Sequence, residues 1–238
     1  YPEKYIELWW GDPKDWVWSG LPVKMKAGIA LTEARSILAK KRSQAIDNIG
    51  QCEVLFCPSR HAAIGFEESP IDGPDCHIIP FGVDCNVYPF VDRDWSETLH
   101  FLLLGYTQFR KGSWIAPEAF IKAFNLKDDV RLTIACSHGE KSPMYCELLA
   151  EYGRYPQIKF DPEMKKTAMA HYQNHHVLLS PHLSEGFGLC IPEAMETGMP
   201  CLVSRCSAPR EFFSKDYGWW IEMSENYAPV RYCLSDTA

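Results

Sequence analysis

The sequence predicts an α/β protein built on parallel sheets, and two observations carry that prediction. Short apolar, β-branched runs alternate with longer stretches of helical period along the chain, the pattern of strands that pair in parallel through helical crossovers. One turn-rich stretch without period, FGVDCNVYPFVDRDW from Phe81 to Trp95, divides the strands into two groups. Two Rossmann-like domains are therefore expected, 1–88 and 89–238, meeting near Asp84–Asp94.

In the first group Tyr5–Trp10, Lys26–Leu31, Cys52–Cys57 and His77–Pro80 read as strands. Residues Arg35–Ile49 read as a helix, because Ile37, Leu38, Ala45, Ile46 and Ile49 fall near a helical period and Gly50 stops the run. In the second group the strands are His100–Gly105, Arg131–Cys136, Ile158–Phe160, His176–Ser180, Cys201–Ser204 and Trp219–Glu222. Helices are expected between them at Trp114–Phe124, Pro143–Glu151, Lys165–Asn174 and Pro192–Thr197. Such a β-α-β series gathers ligands at the carboxyl ends of its strands.

Composition excludes some functions. The 238 residues carry a formal net charge of -7, which argues against general nucleic-acid binding, where a basic face supplies affinity. No apolar run approaches the ~20 residues of a membrane span, and no signal peptide precedes the first strand, so a cytoplasmic protein is expected. The 10 cysteines are scattered, without zinc-ligand spacing. Several lie in apolar runs (VLFCPS, LTIAC, PCLVS), as reduced core thiols do. Tyr1 enters a strand-like segment almost at once and the chain stops at CLSDTA, so both ends are expected to be cut and the first domain incomplete.

Two stretches carry chemistry. Ser180–Pro200, SPHLSEGFGLCIPEAMETGMP, follows a strand and holds Glu185, Gly186-Phe187-Gly188-Leu189 and then Pro192-Glu193 at a helix start, with seven residues between the glutamates. Glycines after a strand let backbone amides approach a phosphate or sugar closely. A carboxylate accepts hydrogen bonds from adjacent hydroxyls, as on ribose or hexose. In Leu103–Gly112, LLGYTQFRKG, a buried strand runs into Gly105 and then Arg110-Lys111-Gly112 before a helix. Lys111 at a helix start offers a cation to a diphosphate, and Arg110 shares that work or lies in solvent. Such a cation assists sugar transfer, because the leaving diphosphate gains negative charge.

These motifs, with the IIPFGVD turn, resemble the family-4 retaining glycosyltransferases of GT-B fold over roughly Cys52 to Gly218. The resemblance implies two Rossmann-like domains around a cleft, the donor held chiefly by the second. By position it assigns Glu193 to the ribose hydroxyls, Glu185 to the transferred sugar, the amides of Gly186–Leu189 to sugar and phosphate, and Lys111 to the diphosphate. It implies transfer from a nucleoside diphosphate sugar to a hydroxyl on a glycan, lipid or protein with retained configuration. No metal or other cofactor is implied. The chain departs from the family at Tyr106, where an Arg is common, and at Phe81, where an Asn usually precedes Gly-Val-Asp. The family's amino-terminal Gly-rich loop and first-domain His have no counterpart.

Other residues keep two readings. Glu33, after GIALT, is a strand-end acid facing the acceptor or part of a helix-capping Thr32-Glu33 pair. Ser59-Arg60-His61 after VLFCP touch substrate or form a helix cap with solvated neighbours. The Trp9, Trp10, Trp16 and Trp18 group stacks on sugars or packs the core. His175, His176 and His182 lack a third ligand at metal spacing. Alternatives to transfer are an epimerase or phosphorylase on the same fold, or a catalytically silent nucleotide-sugar-binding module.

Overall fold

A computed structural model of the chain describes residues 5–20, 22–32, 44–68, 73–136, 139–162 and 168–223. Its described residues form two compact units, one of residues up to Phe81 together with Ser184–Phe187, the other of Gly82–Leu183 with residues 188–223. Each is built on an all-parallel sheet.

The first unit holds β1 (Ile6–Trp10), β2 (Met25–Ile29), β3 (Val54–Cys57) and β4 (Asp75–Ile78), in the order β1-β2-β3-β4. Helix α1 (Gln44–Ile49) is the described end of the expected Arg35–Ile49 helix, whose residues 35–43 lie outside the described residues. Helix α2 (Arg60–Glu67) starts at the helix cap that is one of the two readings of Ser59, while its span was not anticipated, since eight residues containing Gly65 give a weak period. It forms because the Ser59 hydroxyl accepts from the Ala62 amide at 3.0 Å, an N-cap, and because Ala62, Ala63 and Phe66 are buried. Trp16 is buried beside Trp18, ring centroids 6.0 Å apart, so the tryptophan cluster is in part core. Any side chain at Gly28 would strike the Trp16 indole. The buried Asn48 amide donates to Pro13 O at 2.7 Å and Trp16 O at 2.8 Å, tying α1 to the chain beneath the Trp pair.

The second unit holds β5 (Leu99–Leu104), β6 (Val130–Ala135), β7 (Ile158–Asp161), β8 (Val177–Ser180), β9 (Cys201–Ser204) and β10 (Gly218–Ile221). Its sheet order is β10-β9-β8-β5-β6-β7. Counted from β5 this is the 3-2-1-4-5-6 order of a doubly wound domain, with the chain reversing direction between β5 and β8. Side chains alternate across the sheet, as a period of two requires. Leu103, Leu132 and Ile134 pack with residues of α3 (Ile115–Ala123) and α4 (Pro143–Tyr152). Leu102 and Val203 pack with residues of α5 (Ala168–Tyr172) and α6 (Cys190–Glu196). Each fully buried leucine, Leu102 and Leu132 among them, contributes about 1.5–3 kcal/mol of apolar transfer.

Arg93 was not singled out by the sequence. It is buried, and its five donors are met by Val91 O, Tyr172 O, His175 O, Thr197 O and Thr197 Oγ1 at 2.7–3.1 Å. The guanidinium thus fastens the segment after Pro89 to α5 and to the end of α6. Cys57, Cys136 and Cys201 are buried and outside any disulfide, as expected of core thiols, and Cys52 is buried in the same way.

Two predictions follow from this packing. Truncating Arg93 to Ala leaves buried carbonyls without donors and should cost about 2–4 kcal/mol in a urea titration. His175 is buried with Nδ1 2.7 Å from His171 O. Burial, opposed by that hydrogen bond, pushes its pKa from 6.5 down to about 4. Below pH 6.5 the unfolded chain therefore binds a proton that the folded chain refuses. Stability should fall by about 2–4 kcal/mol between pH 6.5 and 4, and His175→Gln should flatten that part of the urea-midpoint profile.

Candidate functional site

In the second unit, strands β5 and β8 are neighbours at the reversal point, and the two sequence-predicted loops leave their carboxyl ends. That placement comes from strand order alone: crossovers turn away on either side and leave a crevice there.

The loop after β5 starts at Gly105, φ 125°, and passes exposed Tyr106 to buried Thr107. The Thr107 hydroxyl lies 2.7 Å from Ser142 Oγ, and its amide donates to Cys136 Sγ at 3.4 Å. Ser142 is also the N-cap of α4, so the loop is stapled to a helix start. Phe109–Lys111 then form one 3-10 turn, closed by Gly112 at φ 63°, ψ 24°. Lys111 is the last residue of that turn, four before α3, and so does not stand at the helix start expected for it. The cause is Gly112, whose left-handed backbone breaks the turn before α3 begins. Lys111 and Arg110 are half-buried, and the Arg110 guanidinium donates to Gln108 Oε1 at 3.4 Å.

The loop after β8 touches the first one directly. Leu183 N–H donates to Arg110 O at 2.7 Å, and a Cβ at Gly112 would overlap the Pro181 carbonyl. His182, 1% exposed, lies with Nδ1 3.0 Å from Ser180 O and 3.1 Å from Ser180 Oγ, anchoring the loop from inside. Gly188 has φ 89°, which its lack of a side chain permits, and Leu189 is exposed just before α6. Helix α6 starts two residues earlier than expected, which still leaves Pro192 and Glu193 in its first turn.

Glu193 is half-buried and hydrogen-bonded by two phenols. Tyr88 donates to Oε1 at 3.0 Å and Tyr172 to Oε2 at 2.8 Å. Burial, and then the nearby carboxylate, raise the Tyr88 pKa to about 12, and burial raises Tyr172 further, so both phenols remain donors. Neither tyrosine was predicted. A buried Tyr needs a hydrogen-bond partner, but nothing in sequence distance links Tyr88 or Tyr172 to Glu193.

In the first unit, Glu185, Gly186 and Phe187 are all buried. The Ser59 hydroxyl donates to Gly186 O at 2.6 Å, and Phe187 meets Phe81 edge-on at 5.3 Å. A side chain at Gly186 would strike Leu31 and the Thr32 carbonyl. Arg60 faces solvent in an ion pair with Glu67 at 2.8 Å. Glu33 lies outside the described residues. Among the described residues no group of three His, Cys, Asp or Glu side chains is placed to hold a metal ion. Nor, among them, is any helix long and apolar enough to cross a membrane.

The family model described as glycosyl transferases group 1 matches residues 107–229, just over half of the chain. The chain belongs to the glycosyl transferases group 1 family. No curated protein sequence matches it. Among solved structures, this group 1 chain is similar to HepE of Anabaena in complex with UDP and glucose, with TM-score 0.67 and 15% identity over 85% of this chain and 59% of that one. Sucrose-phosphate synthase of Thermosynechococcus elongatus gives 0.63 and 15%, over 83% of this chain and 55% of that one. The pneumococcal O-GlcNAc transferase GtfA in complex with UDP and GlcNAc gives 0.62 and 17%, over 86% of this chain and 42% of that one. The group 1 chain thus spans between two fifths and three fifths of these relatives. The likeness shows the fold, an α/β architecture of GT-B type with parallel sheets.

Gly112 gives a direct test of the joined loops. Replacing it with Ala forces both the left-handed backbone and the Pro181 overlap, and should cost about 2–4 kcal/mol by urea titration.

Proposed function

We propose that the chain is the donor-binding part, with some of the acceptor side, of an enzyme that moves a sugar from a nucleoside diphosphate sugar to a hydroxyl acceptor with retention of configuration. The observation that carries this reading is the placement of the Lys111 turn and the Glu193 helix on the loops after β5 and β8, at the reversal point of a doubly wound sheet. The domains are taken as 1–88 and 89–238.

In this reading Lys111 meets the diphosphate, with Arg110 as the second cation, since Tyr106 stands where the family commonly has Arg. Glu193 receives the ribose hydroxyls, Glu185 faces the transferred sugar, and the amides of Gly186, Phe187, Gly188 and Leu189 hold sugar and phosphate. The leaving phosphate takes the acceptor's proton on the same face, while Lys111 and the loop amides stabilise the charge that develops on it. No bound metal takes part. Glu33, Ser59 and Arg60 belong to the acceptor side. The N-cap of Ser59 and the Arg60–Glu67 pair favour a supporting role for those two. The similar HepE and GtfA structures, in complex with UDP and a sugar, support a nucleotide-sugar donor here.

One observation favours a silent binding module: exposed Tyr106 replaces a phosphate cation. A thermal-shift titration with UDP, GDP, ADP and CMP, beside Glu193→Ala and Lys111→Ala, tests the binding site. A diphosphate at 100 times its dissociation constant should add about 2.7 kcal/mol, a shift of a few degrees, and both variants should lose it. A folded parent indifferent to every nucleotide would sink the donor-site reading. Binding without turnover in the longer protein would leave the silent module standing, and the anomeric proton of the product reports retention.

A further inference from the structure

A carboxylate has four acceptor positions, two on each oxygen. At Glu193 two are taken, one on each oxygen: Oε1 by Tyr88 and Oε2 by Tyr172. Among the described residues these phenols are the hydrogen-bond partners of the carboxylate, so each oxygen keeps one position for a ligand. Two acceptors side by side on one planar group suit two hydroxyls on adjacent carbons.

The phenols are fixed from behind. Tyr172 is fully buried in the core that contains Ile191 and Ala194 of α6. Its hydroxyl also lies 3.3 Å from Cys190 O, the first residue of that helix. Its backbone carbonyl accepts from Arg93, which holds Thr197 at the other end of α6 as well. The Tyr88 ring packs on Tyr172 at 5.9 Å. The carboxylate can therefore turn little about its own axis, and the direction of its remaining lone pairs is set before any ligand arrives.

We propose that Tyr172, with Tyr88, is a positioning residue that aims Glu193 at a vicinal diol, so that the site selects ribonucleotides over nucleotides lacking the ribose hydroxyls. This rests on the reading of Glu193 as the ribose ligand. Neither phenol touches the reacting atoms. Their contribution is rotational order, and it is felt only by a ligand that uses both carboxylate oxygens.

Calorimetric titration of the chain with UDP, GDP and ADP and with their 2′,3′-dideoxy counterparts tests it. The parent should prefer one ribonucleotide over its dideoxy form by roughly tenfold or more, as loss of hydrogen bonds to a charged acceptor implies. Tyr172→Phe keeps the ring, so affinity for the dideoxy form should hold while the preference drops to roughly threefold or less. Glu193→Ala should abolish the preference, and adding Tyr172→Phe to it should change nothing further. A Tyr172→Phe protein that keeps the full preference, whatever its melting temperature, overturns the positioning role and leaves Tyr172 as core. If that variant does not fold, Tyr88→Phe, at a half-exposed position, carries the same comparison, and an unchanged preference there overturns the proposal equally. A parent that binds diphosphates with no ribose preference removes the underlying assignment of Glu193 instead.

Discussion

The second unit depends on one buried cation. Arg93 is buried, and carbonyls from four residues and one hydroxyl satisfy it in place of an acidic side chain. Placing a charge there is costly unless every donor is met, so the surrounding backbone is constrained to meet them. The constraint runs through the ends of α5 and α6, which are remote in sequence and carry Tyr172 and the helix of Glu193. A carboxylate on a seven-residue helix would otherwise be poorly defined.

A second constraint comes from parallel topology. Strands that pair in parallel send both loops of a reversal point to the same edge. Here those loops also bond to each other, through Leu183 N–H and Arg110 O, and meet at Gly112 with no room for a side chain. The cation-bearing turn and the loop that leads to Glu193 therefore share one support, and displacing either disturbs the other.

Much of this was legible in the sequence. The ten strands of the described residues were all anticipated within about two residues, because apolar β-branched runs between turn residues have few other uses. The places of Gly112 ahead of a helix and of Glu193 in the first turn of α6 were legible because spacing encodes local geometry. Of helix α2 only the cap at Ser59 was read, as one of two alternatives; its span was missed, since burial of Ala62, Ala63 and Phe66 holds it more than period does. Lys111 was placed on a helix start because a left-handed Gly112 and a helical Gly read alike in one dimension. Arg93, Tyr88 and Tyr172 were not read at all. Each acts through partners brought near by folding, 82 residues away for Arg93 and His175 and 105 for Tyr88 and Glu193, and no local pattern records such pairs.

The stretch between the two groups of strands looks like a spacer, and spacers ordinarily absorb insertions and deletions. This one has little slack. Tyr88 is fixed to one point of α6 and Arg93 to another, so the four residues between them must bridge a set distance. An engineer grafting a domain at this place would do better upstream of Tyr88, where Cys85 and Asn86 lie exposed in a turn, than between the two anchors. The length of that short segment is as much a determinant of the molecule as the identity of its residues.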